Sequence, residues 1–233
     1  MLNMERDIRL DLDMADPGLP ILRLGTIETI VHTWLLDLLD TLRRDQQDTE
    51  LELTIENTPF LEAQFRRGML DVAILATPIA GDGIRCLPLP PLEITMVQRP
   101  AANDGTARIA IDLDTLATRQ LLTFQRGSPT QSAVLDLFRR AGATPHHIHG
   151  VSSLSAMLRL VENGFGVATL PLDLVRSNLA TGRLQVVVLP EPLPSLPLFL
   201  VYRVDPVSHA LDAIVDRIVT IARAHDDASP ASS

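Results

Sequence analysis

Strand-like and helix-like stretches alternate twice over along this 233-residue sequence, which predicts an α/β fold in two lobes. Three observations carry that prediction. Short apolar runs end in glycine or a hydroxyl residue and lead into stretches of helical spacing; several of those stretches close on glycine; and a proline-broken extended stretch separates the two blocks.

In the first block, ILRLG (Ile21 to Gly25) reads as a strand ending in a turn. In TIVHTWLLDLLDTLRRD, Val31, Leu35, Leu38 and Leu42 recur at helical spacing, with Trp34 and Leu39 beside them, so one continuous helix is expected. LELTIE places Leu51, Leu53 and Ile55 on one face and Glu52, Thr54 and Glu56 on the other, the period of a half-buried strand. NTPFLEAQFRRG offers Thr58 as N-cap, Pro59 at the first helical position and Gly68 just past the end, and LDVAIL (Leu70 to Leu75) follows as a buried strand. After Gly81-Asp82-Gly83, IRCLPLPPLEITMVQRP suits an edge strand and a crossing, with a lobe boundary near Arg99-Pro100.

The second block repeats the pattern. QLLTF is a strand, SPTQSAVLDLFRRAG a helix closed by Gly142, HHIHGV a strand, SLSAMLRLVENG a helix closed by Gly164, and FGVATLP a buried strand. RLQVVVLP and LFLVYRV are further strands, and the proline-rich EPLPSLP between them reads as the crossing back. The last helix, HALDAIVDRIVTIARA, has Leu211, Ile214, Val215, Ile218 and Ile221 on its apolar face. The expected organisation is a lead-in over 1–20, in which RDIRLDLDM alternates weakly, a first lobe over 21–99 and 195–224, a second over 100–194, and a disordered tail over 225–233.

Composition excludes several classes. A net charge of -9 provides no basic face for phosphates, so direct nucleic-acid binding is not expected. The single cysteine, Cys86, rules out an internal disulfide and a Cys-rich zinc framework. It lies among apolar and proline residues with no histidine nearby, which makes it an inert thiol in a reducing compartment. No apolar run approaches the roughly 18 residues of a membrane span, and MLNMERDIRLDLDM is too acidic and interrupted for a secretion signal. A soluble, cytoplasmic chain without a membrane partner is expected.

Ligands of open α/β sheets bind beyond the carboxyl ends of the strands, where helix N-termini present unpaired N–H groups. The expected turns carry Thr26 and Thr29, Asn57 and Thr58, Gly127, Ser128 and Thr130, and Ser152 and Ser153. Facing lobes would bring them to a cleft lined with neutral donors, although Ser, Thr and Asn are also ordinary N-caps. Ser128-Pro129-Thr130-Gln131 has the spacing of a capping box, which leaves Gly127 and Thr130 freer for a ligand. Enzyme motifs are missing: Gly127-Ser128 is not a nucleophile elbow, and Gly164-Phe165-Gly166 leads from helix to strand, the reverse of a dinucleotide site. His146, His147 and His149 lack a supporting carboxylate or cysteine and read as a solvated strand end, so neither metal nor cofactor is expected.

The stretch LRLGTIETIVHTWLLDLLDTLRRDQQDTELELTIENTPFLEAQFRRGMLDVAIL resembles the opening of the effector-binding domain of LysR-type transcriptional regulators. FQRGSPTQSAVLDLFRRAG and VSSLSAMLRLVENGFGVATLP resemble later segments of that family, so the resemblance covers about residues 21–224. It implies a type 2 periplasmic-binding-protein-like fold, two Rossmann-like lobes joined by two crossover strands, with a small-molecule inducer in the interlobe cleft. Carried over by position, the effector site would be lined by Thr26, Thr29, Thr58, Gly127, Ser128, Thr130, Ser152, Ser153, Gly166 and Val167. The resemblance also implies a homodimer or tetramer in which the helix with Trp34 and Leu38 packs on the partner's helix with Val134 and Leu137.

Two departures stand out. Only 20 residues precede Ile21, so DNA would be reached only through a helix-turn-helix segment absent from these residues. Ile27 and Glu28 stand where the family often has small or hydroxyl residues, and Glu28 disfavours a strongly anionic effector unless Arg126 or Arg159 offsets it. A ligand-sensing regulatory domain is the leading expectation; a stand-alone solute-binding protein of the same fold is the alternative, and an enzyme ranks below both.

Overall fold

The computed structural model describes residues 19–45, 49–101, 106–204 and 209–228. The chain divides into two compact units, one holding the described residues up to Pro90 and again from Pro197, the other Pro91–Leu196. The weakly alternating RDIRLDLDM lies outside the described residues.

In the first unit, β1 (Ile21–Thr26), β2 (Glu50–Ile55), β3 (Val72–Leu75), β4 (Ile84–Leu92) and β11 (Leu196–Arg203) form a sheet of order β2-β1-β3-β11-β4. β1 runs parallel to both β2 and β3, with Thr26 opposite Ile55 on one side and Ile74 on the other, so all three end together. β3 pairs antiparallel with β11 on its far side. Its four residues are fully buried, as a central strand covered on both faces requires. β2 and β4 are the edge strands, and Leu51 and Ile55 on the apolar face of β2 stay 37% and 42% exposed, more open than the alternation predicted.

The first helical stretch is two helices, not one. α1 (Glu28–Val31) ends at His32, and α2 (Leu35–Asp45) starts after a turn through Thr33 and Trp34. The Thr33 hydroxyl donates back to the carbonyls of Thr29 and Ile30, both at 3.2 Å, in a run of β-branched and aromatic residues that favours helix poorly. α3 (Thr58–Arg66) follows β2, and its cap is Asn57, one residue before the Thr58 expected: the Asn57 side chain accepts from Phe60 N–H at 3.0 Å.

In the second unit, β5 (Ile94–Gln98), β6 (Arg108–Ala110), β7 (Gln120–Phe124), β8 (His147–Val151), β9 (Val167–Pro171) and β10 (Gln185–Val188) form a sheet of order β6-β10-β5-β9-β7-β8. Successive residues alternate between its faces. Leu121, Met96 and Val167 join Val134 and Phe138 of α5 (Pro129–Arg140) in one core, while Leu122, Val97 and Ala168 join Leu154, Met157 and Val161 of α6 (Leu154–Glu162) in the other.

The unit boundary falls at Pro90–Pro91, ahead of the Arg99-Pro100 expected from the prolines. The reason is β5, which pairs antiparallel with β9 and β10 and so belongs wholly to the second sheet. Three elements had no counterpart in the sequence reading: β6, α4 (Leu113–Ala117) and α7 (Leu172–Ala180). The final helix, α8 (His209–Ala228), runs through residues 225–228, which were expected in the tail, and the rest of that tail lies outside the described residues.

Candidate functional site

In the first unit, hydrogen bonds between neighbouring strands tie their carboxyl ends into one surface. Ile27 N–H donates to Ile74 O at 3.3 Å, Glu56 N–H to Thr26 O at 3.1 Å, and Ala76 N–H to the Thr58 hydroxyl at 3.1 Å. Thr26, Thr29 and Thr58 are thus held at the same end of the sheet. Two of the three hydroxyls are already engaged, Thr58 by Ala76 and Thr26 with its neighbour's carbonyl, Ile27 O, at 3.4 Å. Thr29 is 2% exposed. Glu28, beside it, lies 3.5 Å from His32 across one turn.

The second unit gathers its turns in the same way. β7 and β8 are parallel and in register from Gln120 opposite His147 to Phe124 opposite Val151, so the turns into α5 and α6 leave the same end. Gly150 presses them together: a Cβ there would lie 3.3 Å from the Arg126 nitrogen. Ser128 caps α5, accepting from Gln131 N–H at 3.2 Å, while the Gln131 side chain accepts from Gly127 N–H at 3.0 Å. The box closes on Gly127, one residue earlier than the usual cap nitrogen, because Gly127 takes a φ of 83° that other residues rarely adopt. Ser153 caps α6, accepting from Ala156 N–H at 3.3 Å. Ser152 is exposed, whereas Thr130 is 4% exposed.

Gly166 and Val167 do not join this group. They begin β9, and Val167 pairs with Leu121 near the start of β7, so they lie at the amino end of the parallel strands. Val167 is 2% exposed inside the core, and a Cβ at Gly166 would fall 2.1 Å from the Gln120 carbonyl oxygen. The carboxyl end of β9 brings other groups into play that the sequence reading missed: Glu93, whose carbonyl accepts from Leu172 N–H at 2.9 Å, and the start of α7, which has no side-chain cap. Only the strand register reveals them.

Of the expected dimer contacts, Trp34, Leu38, Val134 and Leu137 are at most 4% exposed, buried within the chain itself. On the same two helices the exposed apolar side chains are Leu36, at 68%, and Leu135, at 43%. A helical stripe of leucines marks the face toward the core first.

Other candidates are placed plainly. His149 bonds Gln120 at 2.7 Å and packs edge-on against Phe165, and among the described residues no group of three or more His, Cys, Asp or Glu could hold a metal. Cys86 is half-buried on β4. No helix among the described residues is long and apolar enough to cross a membrane.

Comparison with known proteins adds one decisive match. The LysR substrate binding domain family matches residues 19–222. The chain belongs to that family. LysR substrate-binding domains are parts of transcriptional regulators, not enzymes, and the relatives have that character. A probable hydrogen peroxide-inducible genes activator of Mycobacterium avium is 26% identical over 190 residues, 81% of this chain and 61% of that protein. An uncharacterized HTH-type transcriptional regulator of Bacillus subtilis, YusT, is 24% identical over 92% of this chain and 70% of its own length. The chain thus spans under two thirds of the Mycobacterium avium relative. Among solved structures, the effector-binding domain of QuiR in complex with shikimate superimposes with a TM-score of 0.72 at 21% identity, covering 89% of this chain and 99% of that one. The BenM effector-binding domain with benzoate gives 0.68 at 17%, covering 91% and 96%. These likenesses establish the fold, that of LysR effector-binding domains, which is type 2 periplasmic-binding-protein-like.

Proposed function

We propose that this chain is the effector-binding and dimerising part of a cytoplasmic transcriptional regulator, and that a small molecule is taken up by the strand-end turns. DNA is then read by a helix-turn-helix segment outside these residues. The observation that carries the reading is the strand register, which gathers the hydroxyl-bearing turns of each unit at the carboxyl ends of its parallel strands. Thr29, Gly127, Thr130, Ser152 and Ser153 are the proposed contacts, with Thr26, Thr58 and Ser128 holding the turns in shape. A thiol switch inside the chain is not part of the reading, since a disulfide needs a second cysteine and Cys86 stands alone in the sequence.

Thermal denaturation against a metabolite panel tests this. An effector at about 100 times its Kd raises stability by about 2.7 kcal/mol, and Thr130→Val is expected to lose most of that rise while its unliganded melting temperature stays near the parent's. A panel in which nothing stabilises the chain overturns the reading. For assembly, the proposed contacts are the exposed Leu36 and Leu135. Sedimentation velocity should show a dimer that Leu36→Glu with Leu135→Glu converts to monomer; an unaffected dimer assigns the interface elsewhere.

A further inference from the structure

The amino end of the second unit's parallel strands gathers arginines around two exposed apolar side chains. Gly164 closes α6 with a φ of 78°, and Phe165 N–H, next along, donates back to Leu160 O at 3.0 Å. That turn leaves Phe165 46% and Leu160 36% exposed. Arg99 lies beside the same turn, its Cδ 3.6 Å from where a Gly164 Cβ would be. Arg119 directly precedes Gln120, whose carbonyl abuts Gly166 and whose side chain bonds His149, the ring packed edge-on against Phe165. Arg159 and Arg183 approach Glu162, one at each carboxylate oxygen, at 3.8 and 3.7 Å. Charge here is not balanced. Arg99 and Arg119 are exposed and make no ion pair among the described residues. Arg159 and Arg183, with side chains 82% and 60% exposed, share one carboxylate at distances beyond a hydrogen bond, so their N–H groups stay available. The rest of the unit does not make up the difference: Pro91–Leu196 holds nine arginines and eight acidic residues, a net +1, whereas the remainder of the chain holds eleven and twenty-one, a net -10.

We propose that this surface docks an acidic protein segment that carries an apolar side chain: the guanidiniums of Arg99, Arg119, Arg159 and Arg183 take its carboxylates, and Phe165 with Leu160 takes its apolar group. Aromatic residues and arginine are the types that protein interfaces favour, and a planar guanidinium matches a carboxylate with two parallel N–H bonds. Exposed ion pairs alone hold weakly in water, so the apolar contact is what makes the docking stable. A polyphosphate fits less well. The chain's net charge of -9 opposes it, and a sugar-phosphate backbone would leave Phe165 and Leu160 uncovered. The patch lies at the opposite end of the parallel strands from the turns assigned to the effector, so it stands whether or not those turns take a ligand.

Fluorescence anisotropy of a dye-labelled peptide of alternating aspartate and leucine, titrated with the full chain at low salt, tests this. Saturable binding is expected, weakened about 10-fold or more in Arg99→Glu with Arg119→Glu and about as much by high salt. Phe165→Ser should weaken it too, as should serine for leucine in the peptide, and lysine for aspartate should abolish it. If the charge-reversed pair loses its folded circular dichroism spectrum, Arg99→Gln with Arg119→Gln carries the same comparison. No saturable binding overturns the proposal, as does binding that keeps its affinity in the folded arginine variants or in Phe165→Ser. A labelled DNA duplex that binds as tightly as the peptide, and is lost in the same variants, overturns it in favour of a nucleic-acid surface. Self-association of the parent that disappears in the arginine variants overturns it in favour of a second copy of the chain.

Discussion

The two ends of the second unit's sheet use glycine for opposite reasons. At the amino end, Gly166 is needed because a Cβ would sit 2.1 Å from the Gln120 carbonyl oxygen, with the Gln120 Cβ at 2.8 Å; the backbone of β9 has no room for a side chain. At the carboxyl end, Gly127 has nothing within 4 Å of where its Cβ would be, and is needed only for its φ of 83°. A packed end and an open, pre-shaped end lie on one sheet. Sequence alone shows a glycine in both places and cannot tell the two reasons apart.

The largest expected effect breaks that contrast if it is wrong. Gly166→Ala should cost about 3 kcal/mol in urea denaturation, because the obstacle is backbone and cannot swing aside. A loss under 1 kcal/mol would show that the amino end can relax. Next comes Gly127→Ala, expected to cost about 1 kcal/mol from the left-handed backbone alone, while also weakening effector binding through the displaced Gln131 contact. Unchanged binding in that variant would detach Gly127 from the site. The smallest effect sharpens the contrast through pH. Asp112 caps α4, ahead of β7, and accepts from the Thr115 N–H at 2.7 Å and hydroxyl at 2.8 Å, which hold its carboxyl below the ordinary value of 3.8. Its stabilising contribution is therefore complete above the unfolded value and disappears as pH falls through the lower folded one. The caps at the other end, Ser128 and Ser153, do not titrate in this range. Acidification to that range should loosen α4 before the α5 turn, and hydrogen exchange at Leu116 against Ser132 checks the order.

Most local structure is legible in the sequence. Period 2 in LELTIE, the Ser128-Pro129-Thr130-Gln131 box and the glycines closing α3, α5 and α6 act over a few residues, and their physics is complete within those residues. Errors arise where two local rules compete or where a partner is distant. Thr33 turns its hydroxyl onto the preceding carbonyls and splits a helix that spacing alone runs together. Asn57 and Thr58 are both good caps, and Thr58 leaves that role because Ala76 N–H, 18 positions away, takes its hydroxyl.

The sequence by itself determined the α/β class, the order of most elements, the strand-end turns and the family. Tertiary structure decided what depends on register between distant strands. It placed β5 in the second sheet, Gly166 at the far end from Gly127, and Trp34, Leu38, Val134 and Leu137 inside the chain. An apolar stripe or a turn hydroxyl states a preference for burial or for a hydrogen bond, and only the packed neighbours settle which surface or which atom meets it.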